Sequence, residues 1–281
     1  MKSKPYTRSK RFSLIVMLML TTQIQAEMID KQFKYAFSNQ DFVSPDTQQL
    51  TPFKIHFKQA LQTPLKTELW QSLGFKSVIE PPFVFLSEQK IQGRGFIALR
   101  SEKTKPWLLQ APHAKSDLHT GKIARLLFSE GRFKAAIWNS VPRKKVDMAH
   151  NYQSYWQAVT QVFAENYPQG RIIQLHGFSA KKRKTAAGRN SDMIISAGNQ
   201  FPPLWVQKVA DCLKARTEFK VSLYPYEVTE LGARTNSQGQ LLQSLGHQGF
   251  LHLEMNKKLR DTLLKHVDLR QQLLVCLAEG E

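Results

Sequence analysis

Three apolar segments of this sequence each run directly into a side chain that can bind a metal ion or carry a proton. The segments cover residues 107–112, 171–175 and 250–253, and the side chains that follow them belong to His113, His176 and Glu254. Two histidines and one carboxylate are the usual protein ligands of a catalytic zinc ion, whose fourth position is left to water. A further carboxylate can take a proton from that water. The pattern therefore points to metal-assisted hydrolysis.

Asp117 follows His113 by four residues and would complete such a set of ligands. A strand that ends before His113 and a helix that begins soon after Asp117 would bring both to one corner of the fold. Structural roles stay open for both residues, because Asp117 is also a suitable N-cap for that helix and His113 could be an exposed loop residue. His119 is a rival ligand, but within a helix its side chain would point away from Asp117.

His176 and Glu254 stand at the ends of the other two apolar segments. Gly177 follows His176 and permits close backbone approach, which suits a third ligand, although a capped strand end fits as well. Alternation along the strand puts His252 and Glu254 on one face. Because a carboxylate inside an apolar strand is costly unless it is paired, Glu254 is a candidate functional residue. His252 is expected to be a core histidine or to orient Glu254.

Arg143 lies in a loop after the apolar segment 134–138. Its planar guanidinium group could grip a substrate carboxylate through two parallel hydrogen bonds. Asp147 and His150 follow in the same region, and helix capping and surface polarity explain them best.

Two further loops could contribute to substrate binding. Arg234 and Asn236 lie in a glycine-containing loop that could close over the site or form only a turn. The basic run at residues 181–184, with Arg189, comes soon after His176. It is either a solvated loop or a lip that attracts an anionic substrate.

From residue 106 onward, strand-like and helix-like segments alternate along the chain. Strands are expected at 107–112, 134–138, 171–175, 193–196, 219–224 and 250–254, and helices at 118–130, 151–166, 203–216 and from residue 256. This order predicts a single α/β domain with a mixed, largely parallel sheet flanked by helices. In such sheets, ligands gather outside the carboxyl ends of the strands, where the candidate residues stand.

The first 26 residues have the pattern of a secretory signal peptide, with basic residues before an apolar stretch at 12–20 and a small residue, Ala26, at the end. The apolar stretch is far shorter than the ~20 residues that span a bilayer, so cleavage is favoured over an uncleaved anchor. We expect an exported, periplasmic protein without a stable membrane span. Its segments would be the signal peptide 1–26, an N-terminal extension around the sheet edge at 27–105, and a catalytic α/β domain at 106–281.

Charge and cysteine content limit the class of partner. Without the five basic residues of the predicted signal peptide, 35 Lys and Arg face 22 Asp and Glu, a net charge of +13. An exported basic protein with no nucleic-acid motif is expected to bind carboxylate-bearing substrates or anionic polymers rather than nucleic acid. Cys212 and Cys276 could form a disulfide after export or remain two buried thiols.

The ordered set of motifs from residue 107 to 265 resembles the zinc-carboxypeptidase-like hydrolases, and within them the branch of N-formylglutamate amidohydrolase and poly-γ-glutamate hydrolase. The motifs are Pro112-His113 with Asp117, the run from Gln174 to Gly177, and the run from Phe250 to Asn256. The resemblance implies Zn²⁺ bound by His113, Asp117 and His176, with Glu254 as general base. It also implies that Arg143, with Asn139, holds the substrate carboxylate.

Together these features predict an exported, zinc-dependent hydrolase that cleaves an amide or peptide bond beside a carboxylate. Its substrate would be an acylated amino acid, a γ-glutamyl compound or an envelope peptide. The alternative is a non-enzymatic envelope protein whose degenerate site binds an anionic ligand. The oligomeric state is not indicated by the sequence.

Overall fold

One mixed sheet forms the centre of the molecule. The computed structural model describes residues 27–34, 41–63, 67–90 and 92–279. The strands are β1 (Phe75–Glu80), β2 (Phe83–Glu88), β3 (Phe96–Arg100), β4 (Lys105–Ala111), β5 (Phe133–Trp138), β6 (Arg171–Gly177), β7 (Met193–Ser196), β8 (Val221–Leu223) and β9 (Phe250–Met255). They lie side by side in the order β1-β2-β3-β5-β4-β6-β9-β7-β8.

Parallel pairing is concentrated in the middle of this sheet. The pairs β5/β4, β4/β6 and β6/β9 are parallel, as is β7/β8. The pairs β1/β2, β2/β3, β3/β5 and β7/β9 are antiparallel. The predicted α/β domain with a mixed sheet is confirmed, with three parallel pairs in the centre and a fourth, β7/β8, at one edge. The segment predicted to be an N-terminal extension supplies β1–β3 at one edge.

Helices cover both faces of the sheet. They are α1 (27–34), α2 (Thr47–Gln62), α3 (Thr67–Ser72), α4 (Thr120–Glu130), α5 (Tyr155–Asn166), α6 (Ala186–Asn190), α7 (Leu204–Arg216), α8 (Ser237–Ser244), α9 (Lys257–Lys265) and α10 (Val267–Leu277). Two large apolar cores result, one containing residues of α4, α7, α9 and α10 and the other residues of α2, α5 and α8. Both faces of β4 are buried because Leu109 packs into the first core and Leu108 into the second. This explains its continuous apolar sequence.

A disulfide joins α7 to α10. Cys212 and Cys276 are 64 residues apart in the chain, and the bond closes that loop. The sequence left open whether these cysteines are paired, and the structure answers the question. Residues 1–26 lie outside the described ranges, so the signal peptide stays a prediction. No helix within the described ranges has the length and apolar character needed to cross a membrane.

Candidate metal centre

The three neighbouring parallel strands β4, β6 and β9 bring the candidate residues to one edge of the sheet. His176 and Glu254 are direct partners in the register between β6 and β9. His113 follows the end of β4, and its ring centroid lies 4.8 Å from that of His176. The parallel pairing of these strands therefore brings the predicted residues together at the carboxyl ends of the strands.

Asp117 completes a group of possible metal ligands. One ligand atom from each of His113, Asp117 and His176 lies within 4.8 Å of the others. Asp117 Oδ2 is 3.3 Å from His113 Nδ1 and 3.8 Å from His176 Nδ1, and it accepts a 2.9 Å hydrogen bond from the amide N–H of Gly177. In a tetrahedral site, zinc bonds of about 2.1 Å separate ligand atoms by ~3.4 Å, so this spacing suits zinc.

Asp117 does not cap helix α4, and His119 lies against a different carboxylate. Helix α4 begins at Thr120 with His119 at the N-cap position and no side-chain capping bond, so the Asp117 carboxylate is free to face the site. His119 Nε2 lies 3.4 Å from Asp261 Oδ1, so the His119 ring contacts Asp261 and not Asp117.

Asp147 determines which nitrogen of His113 carries the proton. Its Oδ1 lies 2.7 Å from His113 Nε2, and a carboxylate at this distance accepts a hydrogen bond from the ring N–H. The other nitrogen, Nδ1, is then left with a lone pair that faces Asp117. Burial would lower the pKa of His113, but its hydrogen bonds with Asp117 and Asp147 outweigh burial and the pKa is raised. Burial would raise the pKa of Asp147, and the contacts with His113 and Arg143 outweigh it, so this pKa falls to about 2.

A buried amide network fixes the proton on His176 in the same way. The side-chain oxygen of Asn236 accepts hydrogen bonds from the amides of Gln238 and Gly239, so its NH₂ must donate to Gln174 Oε1, 2.6 Å away. Gln174 Oε1 is thereby an acceptor, and it lies 2.8 Å from His176 Nε2. That nitrogen must carry the proton, which leaves the lone pair on Nδ1, toward Asp117.

The side-chain NH₂ group of Gln174 makes two hydrogen bonds that hold this residue in place. Its Nε2 donates to the side-chain oxygens of Gln110 and Gln238, at 3.0 and 3.1 Å. Gln174 is fully buried, and both of its amide partners are anchored in turn, because Gln110 donates to the Thr160 hydroxyl and Gln238 donates to the Met148 carbonyl. The network therefore sets the orientation of the His176 ring, as partners of metal-binding histidines usually do.

The potential ligand atoms at this site are suited to bind a cation. Two imidazole lone pairs and one carboxylate oxygen converge, and the Gly177 amide is the N–H group directed at that oxygen. Acceptors that face one another repel unless a positive charge lies between them. In the metal-free protein a proton can take that place, which is the physical reason for the raised pKa of His113.

Glu254 is buried beside this group and is not fully satisfied. The residue is 8% exposed, and its Oε2 atom has no hydrogen-bond partner within the described ranges of the chain. Burial, together with the charge of Asp117, raises its pKa to about 8. A carboxyl group whose pKa is brought near neutral pH by burial is suited to take and return a proton.

His252 lies next to Glu254 and forms a second possible group of ligands with His176 and Glu254. Its Nε2 is 3.9 Å from Glu254 Oε1, and burial lowers the pKa of His252 to about 3. A neutral His252 lines the cavity as expected for a core histidine. The two groups share His176, so one ion could occupy either set but not both sets at once.

A cavity of about 370 Å³ opens over the site. The predicted substrate residues differ in whether their polar groups are available to a ligand in this cavity. Arg143 lines it, and its Nε donates to Asp147 Oδ2 at 2.9 Å. Its two terminal guanidinium nitrogens make no hydrogen bond with the residues that the structure describes, so they are available to a ligand. Arg234 also lines the cavity and is exposed. Both arginines therefore stand where a substrate carboxylate could reach them.

Asn139 and Asn236, two further predicted substrate residues, make hydrogen bonds within the protein. The Asn139 amide donates to the carbonyls of Pro112 and Val141, and its oxygen accepts from the amide of Val141. These bonds shape the loop that leads to His113. Asn236 lines the cavity wall, but it caps α8 and donates to Gln174. Their hydrogen-bonding groups are occupied by the protein itself.

The contacts that Asp147 and Gln174 make with the two histidines were not predicted from the sequence. Asp147 was interpreted as a helix cap, and it does accept from the amide of Ala149, but its main contacts are His113 and Arg143. A four-residue separation from Arg143 was the only signal in the sequence. Gln174 lies two residues before His176, hence on the same face of β6, which was a signal that could have been used.

Comparisons with known proteins give likenesses of fold. No protein-family model matches the chain. No curated protein matches it either. The N-formylglutamate amidohydrolase from Ralstonia eutropha JMP134 covers 66% of this chain and 96% of its own length, at 12% identity and a TM-score of 0.49.

Two further solved structures are similar over comparable parts of the chain. Tripeptide-bound cell shape determinant Csd4 from Helicobacter pylori covers 62% of this chain and 50% of its own, at 12% identity and a TM-score of 0.42. Zinc-free YndL covers 66% and 90%, at 14% identity and a TM-score of 0.36. The amidohydrolase is of the kind that the sequence motifs resemble.

Proposed function

We propose that the protein is an exported, zinc-dependent hydrolase that cleaves an amide or peptide bond adjacent to a carboxylate. The observation that supports this most strongly is the convergence of His113 Nδ1, Asp117 Oδ2 and His176 Nδ1, whose tautomers are fixed so that acceptors face one another. His113, Asp117 and His176 would hold the ion. Bound zinc supplies Lewis-acid polarisation of the scissile carbonyl and makes water more acidic.

Glu254 takes the proton of the attacking water and transfers it to the leaving amine. Its unpartnered Oε2 is available for that proton, and its buried position keeps the proton-bound form accessible near neutral pH. In the presence of a nearby cation the carboxylate form gains stability, which prepares Glu254 to act first as a base.

Arg143 binds the carboxylate that adjoins the scissile bond. Its Nε is held by Asp147, which orients the guanidinium plane toward the cavity before substrate arrives. Asp147 thus couples the substrate-binding arginine to the ligand His113, since one carboxylate accepts from both. Arg234 offers a second positive charge on the cavity wall.

Export is part of the proposal and is supported by the pattern of residues 1–26 and by the disulfide Cys212–Cys276. N-terminal sequencing of the protein recovered from the periplasm tests it. The expected mature chain starts at Glu27. Recovery of the intact chain from the cytoplasm would contradict export.

Zinc analysis combined with an activity panel tests the function. Purified protein should contain one zinc per chain and hydrolyse at least one of three substrate types: N-acyl glutamates, γ-glutamyl dipeptides and short acidic peptides. His113→Ala should lose both zinc and activity, and His119→Ala, a matched control whose ring faces Asp261, should keep both. Zinc binding without any turnover would favour the non-enzymatic alternative, and the absence of zinc binding would reject the proposal.

A further inference from the structure

A second, larger cavity adjoins the site. It has a volume of about 840 Å³ and shares Arg143, Leu231 and Glu254 with the cavity over the ligands. Asp117 also lines it. Glu254 therefore stands where two cavities meet, and a chain bound across both would place a bond from its interior beside this carboxylate.

The walls of the second cavity carry an excess of positive charge. Its basic lining residues are Arg143, Lys181, Lys182, Arg183, Lys257, Lys258 and Arg260, whereas its acidic lining residues are Asp117 and Glu254 of the site. Lys257 is paired with Asp261 and Arg183 with Glu230. Lys181, Lys182 and Lys258 have no ion-pair partner among the residues that the structure describes.

The loop that carries two of these lysines is held firmly in place. Glu230 accepts hydrogen bonds from the backbone amides of Lys184 and Thr185, at 3.2 and 2.9 Å, and from the Thr185 hydroxyl at 2.7 Å. Arg183 adds an ion pair to the same carboxylate at 3.5 Å. Lys181 and Lys182 are thus presented on an anchored segment, so little ordering is needed when a ligand binds.

Lys258 occupies a position that helix stability does not explain. Asn256 caps α9, and Lys257 and Lys258 are the first two helical residues, with no acidic residue in that turn. Cations at a helix N-terminus oppose the helix dipole and are mildly destabilising there. Residues that break a local rule of this kind are often found at functional sites.

We propose that the second cavity is a subsite for an acidic peptide segment, whose carboxylates bind Lys181, Lys182 and Lys258 while the adjoining bond lies at Glu254. This inference rests on the proposed function and specifies its substrate: a peptide with negative charges on one side of the cleaved bond. Arg143, at the junction of the two cavities, binds the carboxylate nearest that bond.

Binding of matched peptides tests the subsite without requiring turnover. Fluorescence anisotropy would compare a labelled Glu-Ala-Glu-Ala-Glu peptide with its glutamine counterpart on zinc-loaded Glu254→Gln protein. The acidic peptide should bind more tightly, and the combined Lys181→Gln, Lys182→Gln and Lys258→Gln substitutions should weaken it about tenfold while leaving the glutamine peptide unchanged. Matched substitution of three exposed lysines outside the cavity, Lys58, Lys208 and Lys220, should have no such effect.

Several outcomes would overturn the subsite. They are equal affinity for the two peptides, an unchanged affinity in the triple cavity variant, and stronger competition by tripolyphosphate than by the unlabelled acidic peptide, which would assign the cavity to a phosphate chain. Failure of the subsite is distinct from failure of the proposed function. A wild-type enzyme that hydrolyses acidic and neutral peptides equally would remove only the subsite, whereas acidic-peptide binding without any hydrolysis would keep the subsite and remove the hydrolase.

Discussion

The Nδ1 atom of His113 lies 3.3 Å from Oδ2 of Asp117, although in the tautomer set by Asp147 both atoms are hydrogen-bond acceptors. His176 Nδ1 faces the same oxygen at 3.8 Å, with its proton held on the opposite side by Gln174. This convergence of acceptor atoms at the carboxyl ends of the strands favours the binding of a positive charge. Zinc affinity, its pH dependence and turnover should all respond to changes in that arrangement.

Substitution of Asp147 by asparagine should weaken zinc binding. The amide can present its NH₂ group to His113 Nε2 and thereby favour the wrong tautomer, which turns the lone pair away from the ion. The expected loss is about 10- to 100-fold in zinc affinity, measured by competition with a chromogenic chelator. Asp211→Asn, an exposed surface carboxylate, is the matched control. An unchanged affinity in the Asp147 variant would remove this residue from the site.

Two substitutions of Gln174 separate its acceptor function from its donor function. Gln174→Glu retains an oxygen for His176 Nε2 but loses the donations to Gln110 and Gln238. Gln174→Leu loses every contact and leaves Asn236 Nδ2 without its acceptor, at a cost of about 1–3 kcal/mol in the free energy of unfolding for each buried polar group left unpaired. We expect Gln174→Leu to lose more zinc affinity than Gln174→Glu. Chelator competition would measure the zinc affinity of each variant, and urea unfolding would measure its free energy of unfolding. The reverse order would show that orientation of His176 does not depend on this oxygen.

Zinc affinity should rise with pH. The proton that stabilises the metal-free site, and raises the pKa of His113, has to leave before the ion can bind. Isothermal titration calorimetry in buffers of different ionisation enthalpy should therefore detect proton release on zinc binding, with more protons released at lower pH. A pH-independent affinity with no proton release would contradict the assignment of His113 as a ligand.

The stability of the metal-free protein should depend on Glu254 between about pH 4.5 and 8. Folded Glu254, with its pKa raised from 4.5 to about 8, holds a proton that the unfolded chain has already released. The unfolded state therefore binds fewer protons, and stability must fall as pH rises through this window, by at most ~1.4 kcal/mol per pH unit. Glu254→Gln should remove that slope in thermal unfolding and abolish turnover while keeping zinc, whereas Glu218→Gln, at an exposed position, should change neither.

Substitution of Arg143 should affect substrates with a carboxylate and spare those without one. Arg143→Lys keeps the charge but loses the planar pair of donors, so it should rescue Arg143→Ala only in part. A charge-assisted hydrogen bond of about 1.5–3 kcal/mol predicts a loss of roughly 10- to 150-fold in kcat/KM for Arg143→Ala. The control is Arg216→Ala, at an exposed position of α7. Equal losses on substrates with and without a carboxylate would show that Arg143 acts on the site and not on the substrate.

Much of the fold was predictable because buried parallel strands and amphipathic helices leave clear apolar patterns. The apolar runs 83–86 and 95–99 predict strands where β2 and β3 lie, whereas β1 was harder to interpret because Phe75–Glu80 mixes apolar and polar residues. The residues at strand ends, His113, His176 and Glu254, were found because polar residues interrupt apolar runs there.

The contacts of Asp147 and Asn236 were not predictable from local pattern. Each acts through a partner that is distant in sequence: Asp147 is 34 residues from His113, and Asn236 is 62 residues from Gln174. An aspartate that caps a helix and an asparagine in a loop look the same in the sequence, whether or not they also contact a metal-binding side chain or its hydrogen-bond partner. Only the folded arrangement shows which side of each imidazole is occupied.

The most direct test is a zinc-soaked crystal structure with anomalous scattering at the zinc edge. A single ion should be bound by His113 Nδ1, Asp117 and His176 Nδ1, with Glu254 near it and outside the ligand set. An ion held instead by His176, His252 and Glu254, or no ion at this edge of the sheet, would contradict the account.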